Sequence, residues 1–314
     1  MEGINSRELS IVLPLYNEEG NIHVVYASLV KELEKITDDY EIIFVDDGSS
    51  DSSCDLIKEI AKKDDRVLGI TLSRNFGHQI AIVAGLEHAV GNFVVMMDAD
   101  MQHPPELINE LYAKALEGYD IVNTIREKAQ NLGAIKRISS KWFYKLSNKI
   151  SRVHIQHSSS DFRLMNRKTV NALLKIKEKD RFTRGLVSWL GYKQTFVSFN
   201  SPKRYSGKTK YSYRKMFGFA ASGILSFSSA PLRISFLFGA ATCLFGISYT
   251  VFITVQYFLG NTVPGWSSLM IVILFLGGVQ LLSIGLIGEY LARVFNEVKD
   301  RPLYYVREYF SKDS

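Results

Sequence analysis

From Ile234 to Gly288 the chain runs 55 residues without an Asp, Glu, Lys or Arg. A water-exposed domain does not tolerate such a stretch, so a soluble single-domain fold is excluded. The block is interrupted near its middle by Gly260-Asn261-Thr262-Val263-Pro264-Gly265, which leaves two spans, Ile234 to Leu259 and Ser267 to Gly288, of 26 and 22 residues. Each exceeds the ~20 residues needed to cross ~30 Å of hydrocarbon. The expectation is a transmembrane hairpin. A pair of buried core helices is the alternative, disfavoured because soluble helices of this length carry some charge.

The rest of the 314-residue chain must then be the polar part, although its overall balance hides this: mean hydropathy is +0.01, with 38 Lys+Arg against 32 Asp+Glu. No acid occurs between Asp180 and Glu289, while that interval holds ten bases, which leaves 28 bases against 32 acids elsewhere. The surplus positive charge therefore sits just before the apolar block, where it would meet lipid headgroups or an anionic substrate. This position favours lipid phosphate over nucleic acid, and no nucleic-acid partner is expected. Basic residues flank both outer ends of the hairpin and none lies in its short loop, so both chain ends are expected on the cytoplasmic side of the inner (plasma) membrane. The first ten residues have no apolar run, so no secretory signal is read there. Cys54 and Cys243 fall in the polar and apolar parts respectively and are not expected to pair.

Through about residue 125 the sequence alternates short β-rich runs with helical patterns. Strands are expected at 9–15, 40–45, 67–72, 92–97 and 120–125, with helices at 18–36, after Ser52, at 79–89 and from Pro104-Pro105 onward. This is the pattern of an open, mostly parallel α/β sheet with helices on both faces. Ligands of such sheets gather at the carboxyl ends of the strands. Three of those ends carry polar clusters: Pro14 to Glu18, Asp46 to Asp51, and Asp98 to His103. Each could be simple loop chemistry, with Asn17 and Asp51 as helix N-caps and Asp47-Gly48 as a turn.

Asp98 and Asp100 resist that reading, because two carboxylates leaving the apolar run Phe93 to Met97 repel each other unless a cation lies between them. Their oxygens, with the amide of Gln102, suit Mg²⁺ or Mn²⁺, water and substrate phosphate completing the shell. His103, directly before Pro104, is read as a turn residue rather than a ligand. Arg74 and Asn75 are explained by a strand-end turn. Trp142, Phe143, Tyr144, Trp189 and Tyr192 are read as core or membrane-facing contacts.

The segment Pro14 to Glu18, Val45-Asp-Asp-Gly-Ser-Ser-Asp51, Ser73-Arg-Asn-Phe-Gly77, Asp98-Ala-Asp100 with Gln102, Asp161-Phe-Arg-Leu-Met165 and the basic run before two apolar spans occur in one order. Together they resemble the inverting family-2 glycosyltransferases, and more narrowly the polyprenyl-phosphate glycosyltransferases that include bactoprenol glucosyltransferase and dolichol-phosphate mannose synthase. The resemblance implies a GT-A type fold and transfer of a hexose, with UDP-glucose the first expectation, from a nucleotide-sugar donor to a polyprenyl (undecaprenyl) phosphate acceptor. It implies that Pro14, Tyr16 and Glu18 border the nucleotide, that Asp46 or Asp47 bonds its base, and that Asp98, Asp100 and Gln102 hold the metal. It also makes Asp161 the candidate base, with an N-cap or a partner of Arg163 as structural alternatives. A phosphate monoester is already largely ionised at neutral pH, so Asp161 could equally orient the acceptor.

The run Lys203 to Lys215 holds six bases and three tyrosines. Arg204, Lys208 and Lys210 are assigned to donor diphosphate and lipid phosphate, on a loop able to close around Gly207. Residues 217–229 are expected to form an interfacial helix. The expected organisation is a catalytic domain at 1–200, a juxtamembrane segment at 201–233, the hairpin at 234–291 and a tail at 292–314. Related proteins imply a homo-oligomer. A processive polysaccharide synthase is the rival enzyme, disfavoured by too few spans and no Gln-x-x-Arg-Trp motif; a non-catalytic membrane scaffold is the rival of another class.

Overall fold

A computed structural model describes residues 7–127, 159–179, 181–200, 230–259 and 265–312. The chain divides into two compact units. The first contains eight described strands: β1 (Leu9–Leu15), β2 (Tyr40–Asp46), β3 (Val67–Leu72), β4 (Phe93–Met96), β5 (Ile121–Arg126), β6 (Ser159–Asn166), β7 (Gln194–Phe199) and β8 (Val306–Phe310). Its helices are α1 (Ile22–Leu33), α2 (Ser53–Lys63), α3 (His78–His88), α4 (Leu107–Leu116), α5 (Arg167–Leu174) and α6 (Thr183–Trp189).

The strands form one sheet in the order β7-β5-β6-β4-β1-β2-β3-β8. Parallel pairings join β4-β1-β2-β3 and β5-β7, while β6 and β8 run antiparallel to their neighbours. The fold is thus the expected mostly parallel α/β sheet, with an antiparallel insertion that the sequence pattern did not predict. β1 is central. The chain winds from it to β2 and β3 on one side and then crosses to β4 on the other, so a topological switch point lies between β1 and β4 at their carboxyl ends.

Every residue of β1 is buried, as a strand covered on both faces must be. Leu9, Ile11, Leu13 and Leu15 join the core that includes Ile22, Val25 and Leu29 of α1, Ile57 of α2 and Ile108 and Leu111 of α4. Val12 points to the opposite face, toward α3, where Gly85 admits the helix so closely that a Cβ there would lie 2.3 Å from Val12 Cγ1 and 3.0 Å from Val45 Cγ2. Side chains alternate across a strand, so one apolar heptapeptide serves both layers.

The second unit contains α7 (Ala230–Phe258) and α8 (Trp266–Val298). Both include stretches long and apolar enough to span a membrane, Ser235–Gln256 and Phe275–Val298. Large apolar side chains such as Phe238, Leu244, Leu281 and Leu282 stand exposed. Polar groups are satisfied internally: Ser235 Oγ donates to Ser283 Oγ at 2.9 Å, and the hydroxyls of Thr242, Thr250 and Thr254 donate to carbonyls one turn earlier. The second helix does not stop with the charge-free block, since α8 continues through Glu289 and Arg293 to Val298. The residues read as a tail instead end in β8, a strand of the first unit.

Candidate functional site

The carboxyl ends of β1 and β2 are braced to each other. The Asp47 amide donates to Leu15 O at 2.9 Å, the Asn17 amide to Ser49 Oγ at 2.8 Å, and the Ser50 amide to Asn17 Oδ1 at 2.8 Å. Asn17, expected as a helix cap, instead spans the two loops from a left-handed conformation (φ 53°) that asparagine tolerates. Ser52 rather than Asp51 is the N-cap residue of α2, but Asp51 still holds the helix's first amide, its Oδ1 accepting from Ser53 N at 3.0 Å and its Oδ2 from the Glu19 amide at 3.3 Å. Pro14 is buried within β1, Tyr16 is exposed at its end, and the Glu18 carboxylate accepts from Asn21 Nδ2 at 2.5 Å.

The two adjacent aspartates differ in what remains available to a ligand. Asp47 spends both oxygens on the β3–α3 turn, accepting from the Phe76 amide at 2.7 Å and the Gly77 amide at 2.9 Å. Asp46 accepts from the Ser49 amide at 2.9 Å through Oδ1, while its buried Oδ2 has no partner. Burial pushes both carboxyls up, partly offset by those amides. Between the aspartates and that turn, Gly48 (φ +70°) lies so close that a Cβ would be 2.5 Å from the Arg74 carbonyl carbon. Only glycine fits there.

The second half of the site comes from β4 and β6. Antiparallel pairing sets Phe93 against Asn166 and Met96 against Arg163, and continuing that register two residues brings Asp98 opposite Asp161. His78, the first residue of α3, meets both: its Nε2 is 3.3 Å from Asp98 Oδ1 and 3.9 Å from Asp161 Oδ2. Asp161 therefore lies on a strand, not at a helix N-cap. Arg184 of α6 grips it with two parallel bonds, Nε to Oδ1 and Nη2 to Oδ2, both 2.9 Å. Arg163 Nη2 is also 3.7 Å from Oδ1. Burial alone would push the Asp161 carboxyl up, but Arg184, then Arg163 and His78, hold it well below the usual carboxylate range. Burial in turn lowers Arg163 to about 10.

Beneath Asp98 lies His103, buried and stacked on Phe162 with ring centroids 5.1 Å apart. Its Nδ1 accepts from the Asp98 amide at 2.9 Å, and its Nε2 faces both Ser160 Oγ at 2.8 Å and Arg126 Nη2 at 3.1 Å. Burial pushes this imidazole toward the neutral form, against the pull of Asp98. His103 thus lies in the expected bend before Pro104, but as a buried support for the acidic loop. Next in the chain, Asp100 Oδ1 accepts from the Gln102 amide at 3.0 Å, Gln102 Oε1 accepts from Arg126 Nη1 at 3.4 Å, and Met101 holds a left-handed φ of 62°. That strain, on a bulky residue, lies beside Asp100.

Among the described residues no three His, Cys, Asp or Glu side chains converge to cage an ion. The donor chemistry nevertheless fits a hard cation that arrives with its substrate, since Mg²⁺ is typically held by one or two carboxylates with phosphate and water completing the shell. Asp98 and Asp100 supply that number. Arg204, Lys208, Lys210 and residues 217–229 lie outside the described residues, as do Trp142, Phe143 and Tyr144. Trp189 is exposed, not part of the core. His78, Arg126, Ser160 and Arg184 were not singled out from sequence. His78 directly follows the Ser73-to-Gly77 run at a helix start, which was a usable signal; Arg184 was one of ten bases in an acid-free stretch, which was not.

Residues 10–174 match the family description "Glycosyl transferase family 2". Residues 230–294 match "GtrB C-terminal hairpin". Similar proteins include an uncharacterized glycosyltransferase of Synechocystis sp., 46% identical over 302 residues covering 96% of this chain and 95% of that protein. A prophage bactoprenol glucosyl transferase homolog of Escherichia coli is 38% identical over 302 residues, covering 96% and 98%. The bactoprenol glucosyl transferase of Shigella phage SfII is 38% identical over 303 residues, covering 96% and 98%. With its sheet and its apolar C-terminal helices both matched, the chain belongs to glycosyl transferase family 2.

Proposed function

We propose that this protein transfers a single hexose, glucose from UDP-glucose, to a polyprenyl phosphate in the membrane, with inversion at the anomeric carbon. The observation that carries this reading is the presence in one chain of a carboxylate-rimmed α/β switch point and a GtrB-type hairpin, in a sequence 38% identical nearly end to end to a bactoprenol glucosyl transferase. The two helices anchor the protein in the plasma membrane with both chain ends cytoplasmic.

The donor nucleotide is assigned to the β1 and β2 ends, bordered by Pro14, Tyr16 and Glu18. The partnerless Oδ2 of Asp46 supports Asp46 as the acceptor for the base, with Asp47 shaping the adjacent turn. Asp98, Asp100 and Gln102 would hold Mg²⁺ or Mn²⁺, Gln102 exchanging its contact with Arg126. Such an ion supplies charge neutralisation on the departing diphosphate.

In the step itself an oxygen of the lipid phosphate forms a bond to the anomeric carbon from the face opposite the nucleotide. The bond from that carbon to the diphosphate oxygen breaks, and its electron pair leaves with the nucleoside diphosphate. No proton has to move, because a phosphate monoester with a second pKa near ~6 is already mostly dianionic at neutral pH. This suits Asp161, which stays ionised between two arginines and is therefore a poor proton acceptor. Its role in this reading is to orient Arg184 and His78 toward the reacting groups. Arg204, Lys208 and Lys210 are assigned to the phosphates.

Membranes containing the protein, given labelled UDP-glucose, divalent metal and polyprenyl phosphate, should form a labelled glycolipid that partitions into organic solvent. A water-soluble labelled polymer would support a processive synthase instead. No transfer from any nucleotide sugar would support a scaffold.

A further inference from the structure

Asp161 is outnumbered by the cations around it. Its single charge meets Arg184 through two 2.9 Å bonds and Arg163 Nη2 at 3.7 Å, so these three side chains together carry a net positive charge. The two guanidinium groups differ in access. The Arg163 side chain is 1% exposed and cannot reach a ligand, whereas that of Arg184 is 32% exposed.

Arg184 is also fixed from a second direction. Thr183, the residue before it, is buried, and its amide donates to Gln79 Oε1 at 3.1 Å, which ties the start of α6 to the residue that follows His78 in α3. The grip on Asp161 engages the Nε and Nη2 side of the guanidinium, two of its five N–H donors. A cation held in this way gives up little conformational freedom when an anion meets it.

The order of the strands decides which anion that is. The sheet runs β2-β1-β4-β6 through the site. In the reading above the nucleotide lies at the ends of β2 and β1, and the diphosphate with its metal lies at Asp98, just after β4. Asp161, on β6, and Arg184 beside it come next, on the side away from the nucleotide. Inversion brings the incoming oxygen to the anomeric carbon from the face opposite the leaving group. Arg184 therefore stands where the incoming group arrives.

We propose that Arg184 binds the phosphate of the lipid acceptor and that Asp161 is the residue that holds it in position for this. The pair then selects a phosphate monoester over the corresponding alcohol. An alcohol brings no charge to meet the guanidinium, and it would need a base, which a carboxylate clamped by Arg184 supplies poorly. This deepens the lipid-phosphate reading above and rests on it.

The test is calorimetric binding by the full-length protein in detergent. Farnesyl phosphate is the acceptor probe, farnesol the blank for partition into the micelle, and UDP with Mg²⁺ the donor probe. Arg184→Gln is expected to weaken farnesyl phosphate binding about tenfold, the loss of a charge-assisted contact, and to leave UDP binding within about twofold of the parent's. Because that variant leaves a buried carboxylate without its main partner, the double variant Asp161→Asn, Arg184→Gln is measured beside it and should show the same selective loss. Parent-like affinity for farnesyl phosphate in either variant, or an equal loss of UDP affinity, overturns the role of Arg184 and leaves the lipid-phosphate reading standing. A parent protein that binds UDP but not farnesyl phosphate overturns both.

Discussion

Replacing Arg184 with Gln should destabilise the catalytic unit by an amount that can be bounded from the geometry. The change removes two 2.9 Å charge-assisted bonds from Asp161, which is only 7% exposed. Breaking a buried pair by removing one partner costs ~3–5 kcal/mol. Here Arg163 remains 3.7 Å and His78 3.9 Å away, and the Arg184 side chain is 32% exposed, so the loss should fall below that range, at about 2 kcal/mol. For a unit of this size that corresponds to about 4–8 °C in Tm. Acid should narrow the difference. The depressed Asp161 pKa contributes stability that is complete above the unfolded carboxylate's ~4 and is lost as pH falls through the folded value. With Arg184 gone the folded value rises toward the unfolded one, so the variant has less of this stability to lose and its acid dependence below pH ~4 is weaker than the parent's. Thermal unfolding of the full chain, followed by intrinsic fluorescence between pH 3 and 8, reads both effects. Adding Asp161→Asn should recover much of the loss, giving a coupling energy of at least ~1 kcal/mol. Strictly additive single and double variants would refute the argument that Asp161 and Arg184 form one energetic unit.

Asp100→Ala should abolish transfer and reduce metal-dependent donor binding to the level seen in chelator; full parent activity in chelator would overturn the metal assignment. Asp161→Asn should still bind donor in calorimetry but lose turnover, and an unchanged rate with an unchanged pH profile would make Asp161 purely structural. Gly85→Ala should destabilise by ~1–3 kcal/mol, because the added methyl would meet Val12 Cγ1 at 2.3 Å. Pairing it with Val12→Ala should recover part of that loss in the same melting assay.

The parallel half of the sheet was legible because its strands are short β-rich runs separated by amphipathic helices, and local periodicity suffices to mark them. β6 was not legible: it begins in the serine-rich Ser158-Ser159-Ser160-Asp161 run, which reads as a loop, and becomes a strand because β4 and β5 offer edges on both sides. That missed strand is why Asp161 could be picked out by resemblance but not placed beside Asp98. β8 was missed for a related reason, since Val306-Arg-Glu-Tyr-Phe310 has little of a strand's apolar alternation and pairs only with β3. The apolar helices were plain from the absence of charge, although α8 outruns the charge-free block because helix propagation does not require apolar residues. His103 was read as a turn residue because a histidine before proline carries no sequence sign that it will be buried.

The central claim is that one hexose passes from a nucleotide to a lipid phosphate at the rim where Asp98 and Asp161 meet. Its most direct test is mass and proton NMR analysis of the lipid product made by purified protein from UDP-glucose and polyprenyl phosphate. The account predicts one hexose per phosphate, β-linked from the α-linked donor, and no product from Asp98→Asn. A product with retained α-configuration, several hexoses per lipid, or undiminished synthesis by Asp98→Asn would contradict it.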